Sequence, residues 1–242
     1  MNRPTSQGAK FLPKGLDILH EDRDILVVNK PSGLLTVSTE TEKTRTAYFA
    51  LTDYIRKGYA KSRRRLFIVH RLDKETSGVL VFAKSMEAKL YLQEHWEKTC
   101  KKYLAVTHGR FDKDSGAITT YLAENKAHFV YSTSDPAKGK LSVTAYKVLK
   151  QTGDFALLEV DLLTGRKNQI RVHLAGIGHP VVGDKKYGKK DKAGARLALH
   201  AMSISFSHPF SRRQLIVETK APAYFNQLIG CVDHKDKSRP RP

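Results

Sequence analysis

Phe67-Ile68-Val69-His70-Arg71-Leu72-Asp73-Lys74-Glu75-Thr76-Ser77-Gly78-Val79-Leu80-Val81-Phe82-Ala83 sets two apolar runs around a polar turn. Phe67 to Val69 and Val79 to Ala83 are dense in β-branched and aromatic residues and read as buried strands. The turn places the Asp73 carboxylate among His70, Arg71 and Lys74 and beside the hydroxyls of Thr76 and Ser77. An ionised carboxylate costs several kcal/mol to strip of water, so Asp73 must lie at the surface, in a cleft, or against a cation such as Arg71. It is therefore a candidate site residue. Local chemistry also allows a plainer role, in which Asp73, Thr76 and Ser77 cap and tighten a turn that Gly78 closes.

The 242 residues, 40% of them hydrophobic, suffice for a full core. Lys and Arg number 43 against 24 acids, a formal charge of +19. An excess of that size points to a polyanionic partner, because cations on one surface neutralise phosphates and release their counterions. No lipidation signal or basic amphipathic helix favours a membrane surface instead. No apolar run approaches the ~20 residues of a spanning helix, and Met1 to Lys10 has no apolar signal core, so the expected location is cytoplasmic or, at most, nuclear or organellar after import. Cys100 and Cys231 stand far apart in no ligand spacing, and no His-Glu-x-x-His pattern occurs among ten histidines, so neither zinc nor another metal is expected. His173 and His179 flank a helix end, where separate structural roles are expected.

Working outward, residues 1–15 read as a mobile arm and 233–242 as a disordered basic tail, with one undivided domain over 16–232 and no internal repeat. Ile18 to Val28 reads as two strands about an acidic turn, followed by Asn29-Lys30-Pro31-Ser32-Gly33. Ala47 to Arg56 has helical spacing, with Phe49, Tyr54 and Ile55 on or near one side. Ser85 caps a second helix running through Trp96, with Met86, Leu90, Leu92 and Trp96 as its apolar side. Strands are expected at Lys101 to Gly109, Ala117 to Leu122, His128 to Ser132, Leu141 to Leu149, Phe155 to Leu162, Leu197 to Phe206 and Gln214 to Thr219. Ile170, Leu174 and Ile177 mark a helix that Gly178 and Pro180 end, and Pro222 opens a last one through Ile229. Repeated hairpins, without the regular alternation of a doubly wound fold, indicate an α+β protein with a large, mainly antiparallel sheet.

Two basic segments stand out. Arg56 to Arg65 holds Arg56, Lys57, Lys61, Arg63, Arg64 and Arg65 with Tyr59 between them, directly before the Asp73 stretch. Such a run is most often a solvated loop; beside a candidate site it reads as a phosphate-contacting rim. Gly183 to Lys190, with Lys185 and Lys186, is a second basic loop. Arg166 and Arg171 have the reach to meet an anion across a cleft, although an exposed helical Arg is more often plain surface.

The segment His70 to Gly78 resembles the signature of the RluA family of RNA pseudouridine synthases. Val28-Asn29-Lys30-Pro31-Ser32-Gly33, Lys101-Lys102-Tyr103, Gly165 to His173, Leu199-His200-Ala201 and Ser207-His208-Pro209 match in order, so the resemblance spans roughly residues 16 to 230. It implies the pseudouridine synthase fold, a mixed sheet flanked by helices around a central cleft. It also implies isomerisation of a uridine in rRNA or tRNA, a reaction that needs no cofactor because no atoms or electrons are gained or lost. Asp73 would be the catalytic carboxylate, whether it attacks the sugar, adds to the base or removes a sugar proton. Arg171 would be its salt-bridge partner, and Tyr103 would stack on the uracil and assist loss of the C5 proton. The target base would be flipped out at a cost of a few kcal/mol, with Arg71 filling the vacated space. His70, Lys102, Arg166, the arginines 63 to 65 and the lysines 185 and 186 are assigned to RNA contact. Two departures stand out. Many members carry an N-terminal S4-type RNA-binding domain, whereas a short arm precedes this catalytic region, which places RNA capture on the domain's own basic surface. Lys167-Asn168 stands where Thr or Ser followed by His is common. The competing class is a non-catalytic RNA-binding or ribosome-assembly protein on the same fold, and the charge favours a monomer.

Overall fold

In the computed structural model, which describes residues 12–59, 61–188 and 196–230, the chain opens with the hairpin of β1 (Asp17–Glu21) and β2 (Ile25–Lys30). Helix α1 (Ala47–Arg56) follows, then β3 (Phe67–Ile68) and β4 (Ser77–Ala83) on either side of the Asp73 turn. Next come α2 (Met86–Glu94), a 3-10 turn at Trp96–Lys98, β5 (Cys100–His108), β6 (Ser115–Glu124), β7 (Val130–Thr133), β8 (Lys140–Gln151) and β9 (Phe155–Leu162). Helix α3 (Gln169–Gly176), β10 (Leu199–Ser207), β11 (Gln214–Glu218) and α4 (Ala223–Ile229) complete the order. The expected arm (1–15) is described only from residue 12, and the expected tail (233–242) lies outside the described residues.

The strands form one sheet in the order β1-β2-β4-β10-β5-β9-β8-β6-β7, with β11 on β10 and β3 on β4. All pairings are antiparallel except β4 with β10, where His200 meets Ser77 and Ala201 meets Gly78. The fold is thus the α+β class expected, and its two halves meet at that short parallel pair. Among the described residues no helix is long and apolar enough to cross a membrane.

Ile25 to Val28 of β2 and Val79 to Ala83 of β4 are continuously apolar because both faces of the sheet are covered there. Leu26 and Val28 of β2 and Leu80 and Phe82 of β4 pack with Leu51 of α1, while Ile25, Val27, Val79 and Val81 pack on the other face with Leu92 of α2. Thr46 and Ser85 cap the two helices by accepting from the amides of Phe49 and Ala88. The buried faces differ from the sequence expectation. Helix α1 buries Ala47, Ala50 and Leu51, spaced three and four apart, and leaves Phe49, off that stripe, 51% exposed. Helix α2 buries Ala88 and Leu92, four apart, and Met86 and Leu90, two positions out of phase, face solvent.

The β1–β2 turn is tied to the β10–β11 turn through Asp22. One Asp22 oxygen accepts the amides of Asp24 and Ile25, and the other meets His20 Nε2 at 2.8 Å and His208 Nε2 at 3.0 Å. Since His208 Nδ1 accepts the amides of Phe210 and Ser211, its Nε2 is the donor to Asp22.

Gly78 sits where the halves meet. Its φ is +115°, and a Cβ there would lie 2.1 Å from the Ala201 carbonyl oxygen. Gly78→Ala should therefore destabilise the protein by about 3 kcal/mol in urea unfolding. Gly153→Ala, whose Cβ meets nothing within 4 Å, should stay within about 1 kcal/mol of the parent.

Candidate active site

The turn that carries Asp73 is held from beneath by the segment after β2. Lys30, fully buried, donates from Nζ to the carbonyls of Pro31 (3.0 Å), Leu34 (2.7 Å) and Lys74 (3.1 Å). The Gly33 amide also donates to Lys74 O, Ser32 Oγ donates to Glu75 O, and Thr36 Oγ1 joins both the carbonyl and the amide of Leu72. Burial pushes the Lys30 ammonium down to about 7, against the pull of Glu75 and Asp73. The turn's backbone is thus fixed by groups that leave the Asp73 side chain, 29% exposed, free to face a cleft.

Arg171, on the first turn of α3, approaches Asp73 from the other half. Its Nη1 lies 3.0 Å from Asp73 Oδ2 and 3.1 Å from Asn168 Oδ1. Its Nε and Nη2 each lie 2.7 Å from an oxygen of Asp184, whose side chain is fully buried. This bidentate pairing uses one edge of the planar guanidinium and aims the other at Asp73. Burial alone would push the Asp184 carboxyl up, but the Arg171 guanidinium and the amides of Tyr187 and Lys186 hold it below the ordinary carboxylate range. Asn168, at φ 55°, takes the left-handed conformation that starts α3 and donates through Nδ2 to Tyr187 Oη, while the Tyr187 ring lies 5.1 Å from the guanidinium. Asn168 thus joins Arg171 and Tyr187 at this helix start.

Tyr103 of β5 faces the same cleft, and burial, then the Asp73 charge, pushes its phenol above the ordinary range. The cleft has a volume of 630 Å³ and is lined by Gly165–Arg171, Asp73, Arg71, Leu35, Tyr103, Gln93, Trp96 and Lys101 among others.

The residues assigned to RNA contact divide. Arg71 and Arg166 are exposed and line the cleft. Arg63, Arg64 and Arg65 are exposed ahead of β3, Arg65 over the Phe67 ring at 4.9 Å, and none lines the cleft. Lys185 is exposed, and Lys186 donates to His128 O and sits 5.3 and 5.4 Å from the Phe129 and Tyr187 rings, beside rather than in the cleft. Two of these side chains are engaged within the protein, although His70 also lines the cleft. His70 is no cation, because its Nε2 accepts the Val81 amide at 3.0 Å and burial, with Lys101 nearby, lowers it to about 3. Lys102 pairs with Glu159 and Asp161 on the sheet face opposite Tyr103, so strand alternation gives the cleft Lys101 instead. His173 and His179 are structural, as expected: His173 bridges Thr120 and Thr144, and His179 stacks on Phe111 at 4.0 Å.

Asp184 and Lys30 escaped sequence reading. The signal for Asp184 was an acid inside a basic loop after Gly183, and for Lys30 a cation closing an apolar strand.

The sequence profile described as RNA pseudouridylate synthase matches residues 24–176. An uncharacterized RNA pseudouridine synthase of Mycoplasma pneumoniae is 37% identical over 227 residues, 91% of this chain and 71% of that protein. Ribosomal large subunit pseudouridine synthase C of Rickettsia bellii is 35% identical over 218 residues, 87% of this chain and 70% of that protein. The solved structure of human RNA pseudouridylate synthase domain containing 4 superposes with a TM-score of 0.72 at 26% identity, covering 86% of this chain and 90% of that one.

Asp184→Ala should lower the unfolding free energy by about 3–5 kcal/mol, because it leaves the Arg171 guanidinium buried without its bidentate partner. The Asp184 carboxyl is lowered in the fold, so its stabilisation is complete above the unfolded value near ~3.9 and is lost as pH falls through the lower folded value. Urea unfolding across that acid range should show a steep decline in the parent and a shallower one in Asp184→Asn.

Proposed function

The chain belongs to the RNA pseudouridylate synthase family, and from that premise we propose that Asp73 is the residue with which it converts uridine to pseudouridine. The enzyme isomerises uridine in RNA. The bond between C1′ and N1 breaks, the uracil turns, C1′ bonds to C5, the C5 proton leaves and N1 gains one. Nothing is oxidised or reduced. The observation that carries the proposal is the Asp73–Arg171 salt bridge of 3.0 Å within an open cleft. A carboxylate so placed is held against the nucleoside by a cation that is itself locked by Asp184.

In this reading Tyr103 lies against the uracil and takes part in removal of the C5 proton. The uridine is everted into the cleft at a cost of a few kcal/mol, and Arg71, exposed at the rim, fills the gap it leaves in the RNA. Arg166 and the arginines 63 to 65 meet phosphates around the cleft. The target is a stem-loop of rRNA or tRNA, where unstacked bases are within reach. The name of the Rickettsia relative favours rRNA. The charge of +19 favours a monomer working in the cytoplasm beside its RNA.

Purified protein incubated with total rRNA and tRNA should form pseudouridine measurable by nucleoside mass spectrometry. Asp73→Asn should reduce formation to background while RNA binding, read by polarisation, persists. Binding without any conversion by the parent would favour an RNA-binding role instead. Replacing Arg63, Arg64 and Arg65 together by Ala should flatten the dependence of log K on log salt by about 0.7 per lost phosphate contact. An unchanged slope would remove that loop from the interface.

A further inference from the structure

The cleft does not end at Asp73. Its 630 Å³ is about twice the lower end of the ~300–1,000 Å³ range of small-ligand sites, and its lining also includes Lys101, two residues along β5 from Tyr103, with Trp96 and Gln93. The roles given to Asp73, Tyr103 and Arg171 leave these three unused.

Lys101 carries the argument. The residue is only 8% exposed, yet its ammonium, with three donors, makes a single hydrogen bond among the described residues, of 3.2 Å to the Trp96 carbonyl, and lies 5.5 Å from the indole centroid. Among the described residues no carboxylate forms an ion pair with it. Capping the 3-10 turn explains one of its three donors and leaves a largely desolvated cation facing the cleft. Burial pushes its pKa down, against Cys100 and Glu97 pulling it up. The Trp96 side chain is half-buried against His70, at 4.6 Å between ring centroids, and its indole N–H is neither buried nor bonded among the described residues. The Gln93 amide nitrogen is taken by Val69 O at 3.1 Å, which orients that side chain along the same wall.

We propose that this part of the cleft is a second nucleotide subsite, which holds the residue next to the target uridine with its phosphate on the Lys101 ammonium and its base against the Trp96 indole. The inference rests on the RNA reading above and extends it from the target base to its neighbour. A buried point charge answers a phosphodiester, and an indole answers any base, since stacking is sequence-tolerant. Gripping the neighbour there helps to keep the target nucleotide everted beside Asp73.

Trp96 is the only tryptophan of the chain, so its fluorescence reports the subsite without mutation. A five-nucleotide RNA with a central uridine, titrated into the full chain, should quench that fluorescence over the concentration range in which polarisation of the labelled RNA rises. Lys101→Met, which keeps the buried stem, should reduce the salt slope by about 0.7, and Lys101→Arg should restore it. Trp96→Ala should weaken binding by roughly 5- to 100-fold, and Trp96→Phe by less. RNA binding seen by polarisation with unchanged Trp96 fluorescence would overturn the subsite, as would an unchanged slope in folded Lys101→Met. No polarisation change at all would remove the RNA reading itself, and the subsite with it.

Discussion

The Arg171 guanidinium is the constraint on which the site depends. A buried cation is tolerable only when paired with good geometry, and Asp184 supplies that with two 2.7 Å bonds that fix the plane of the group. What remains of its donor fork points at Asp73 and Asn168. The Asp73 turn comes from the half of the sheet built by β1, β2 and β4, and α3 lies against the half built by β5 to β9. The parallel pairing of β4 with β10 brings the halves together, and only a residue without a Cβ at position 78 permits that approach. The salt bridge across the cleft is therefore a consequence of how the sheet is joined.

The turn itself is rigid by a different device. Lys30 spends its three donors on three carbonyls of two loops, which binds the segment after β2 to the turn after β3. An ammonium used this way is costly to desolvate, which its lowered pKa of about 7 reflects. The same physics sets Lys101 apart, since that ammonium is nearly as buried and has one carbonyl in place of three.

Much of this was legible in the sequence. Continuous apolar runs marked the central strands because both sheet faces are covered, and Ser85 marked one helix start through its cap, while the Thr46 cap emerged only in the structure. Asp73 was legible because a carboxylate between buried strands demands a cleft or a partner, whereas Arg171 as that partner came only from the family resemblance, since local chemistry pointed equally to Arg71. What was not legible depends on which way a side chain points. Phe49, Met86 and Leu90 are large and apolar, yet helix phase turns them outward. Lys101 and Lys102 differ only in strand phase, and only the coordinates show which shares a face with Tyr103. Asp184 and Lys30 act on groups 13 and 44 residues away in sequence, so no local pattern reveals their partners. His70 reads as a polar residue of a catalytic turn, but its ring is spent on the Val81 amide.

The central claim is that the carboxylate held by Arg171 performs the isomerisation. A map of pseudouridines in rRNA and tRNA from cells lacking this gene, complemented with the wild-type chain or with Asp73→Asn, tests it most directly. The account predicts that a discrete uridine loses its modification, regains it with the wild-type chain and stays unmodified with the variant. A full map restored by Asp73→Asn would contradict it.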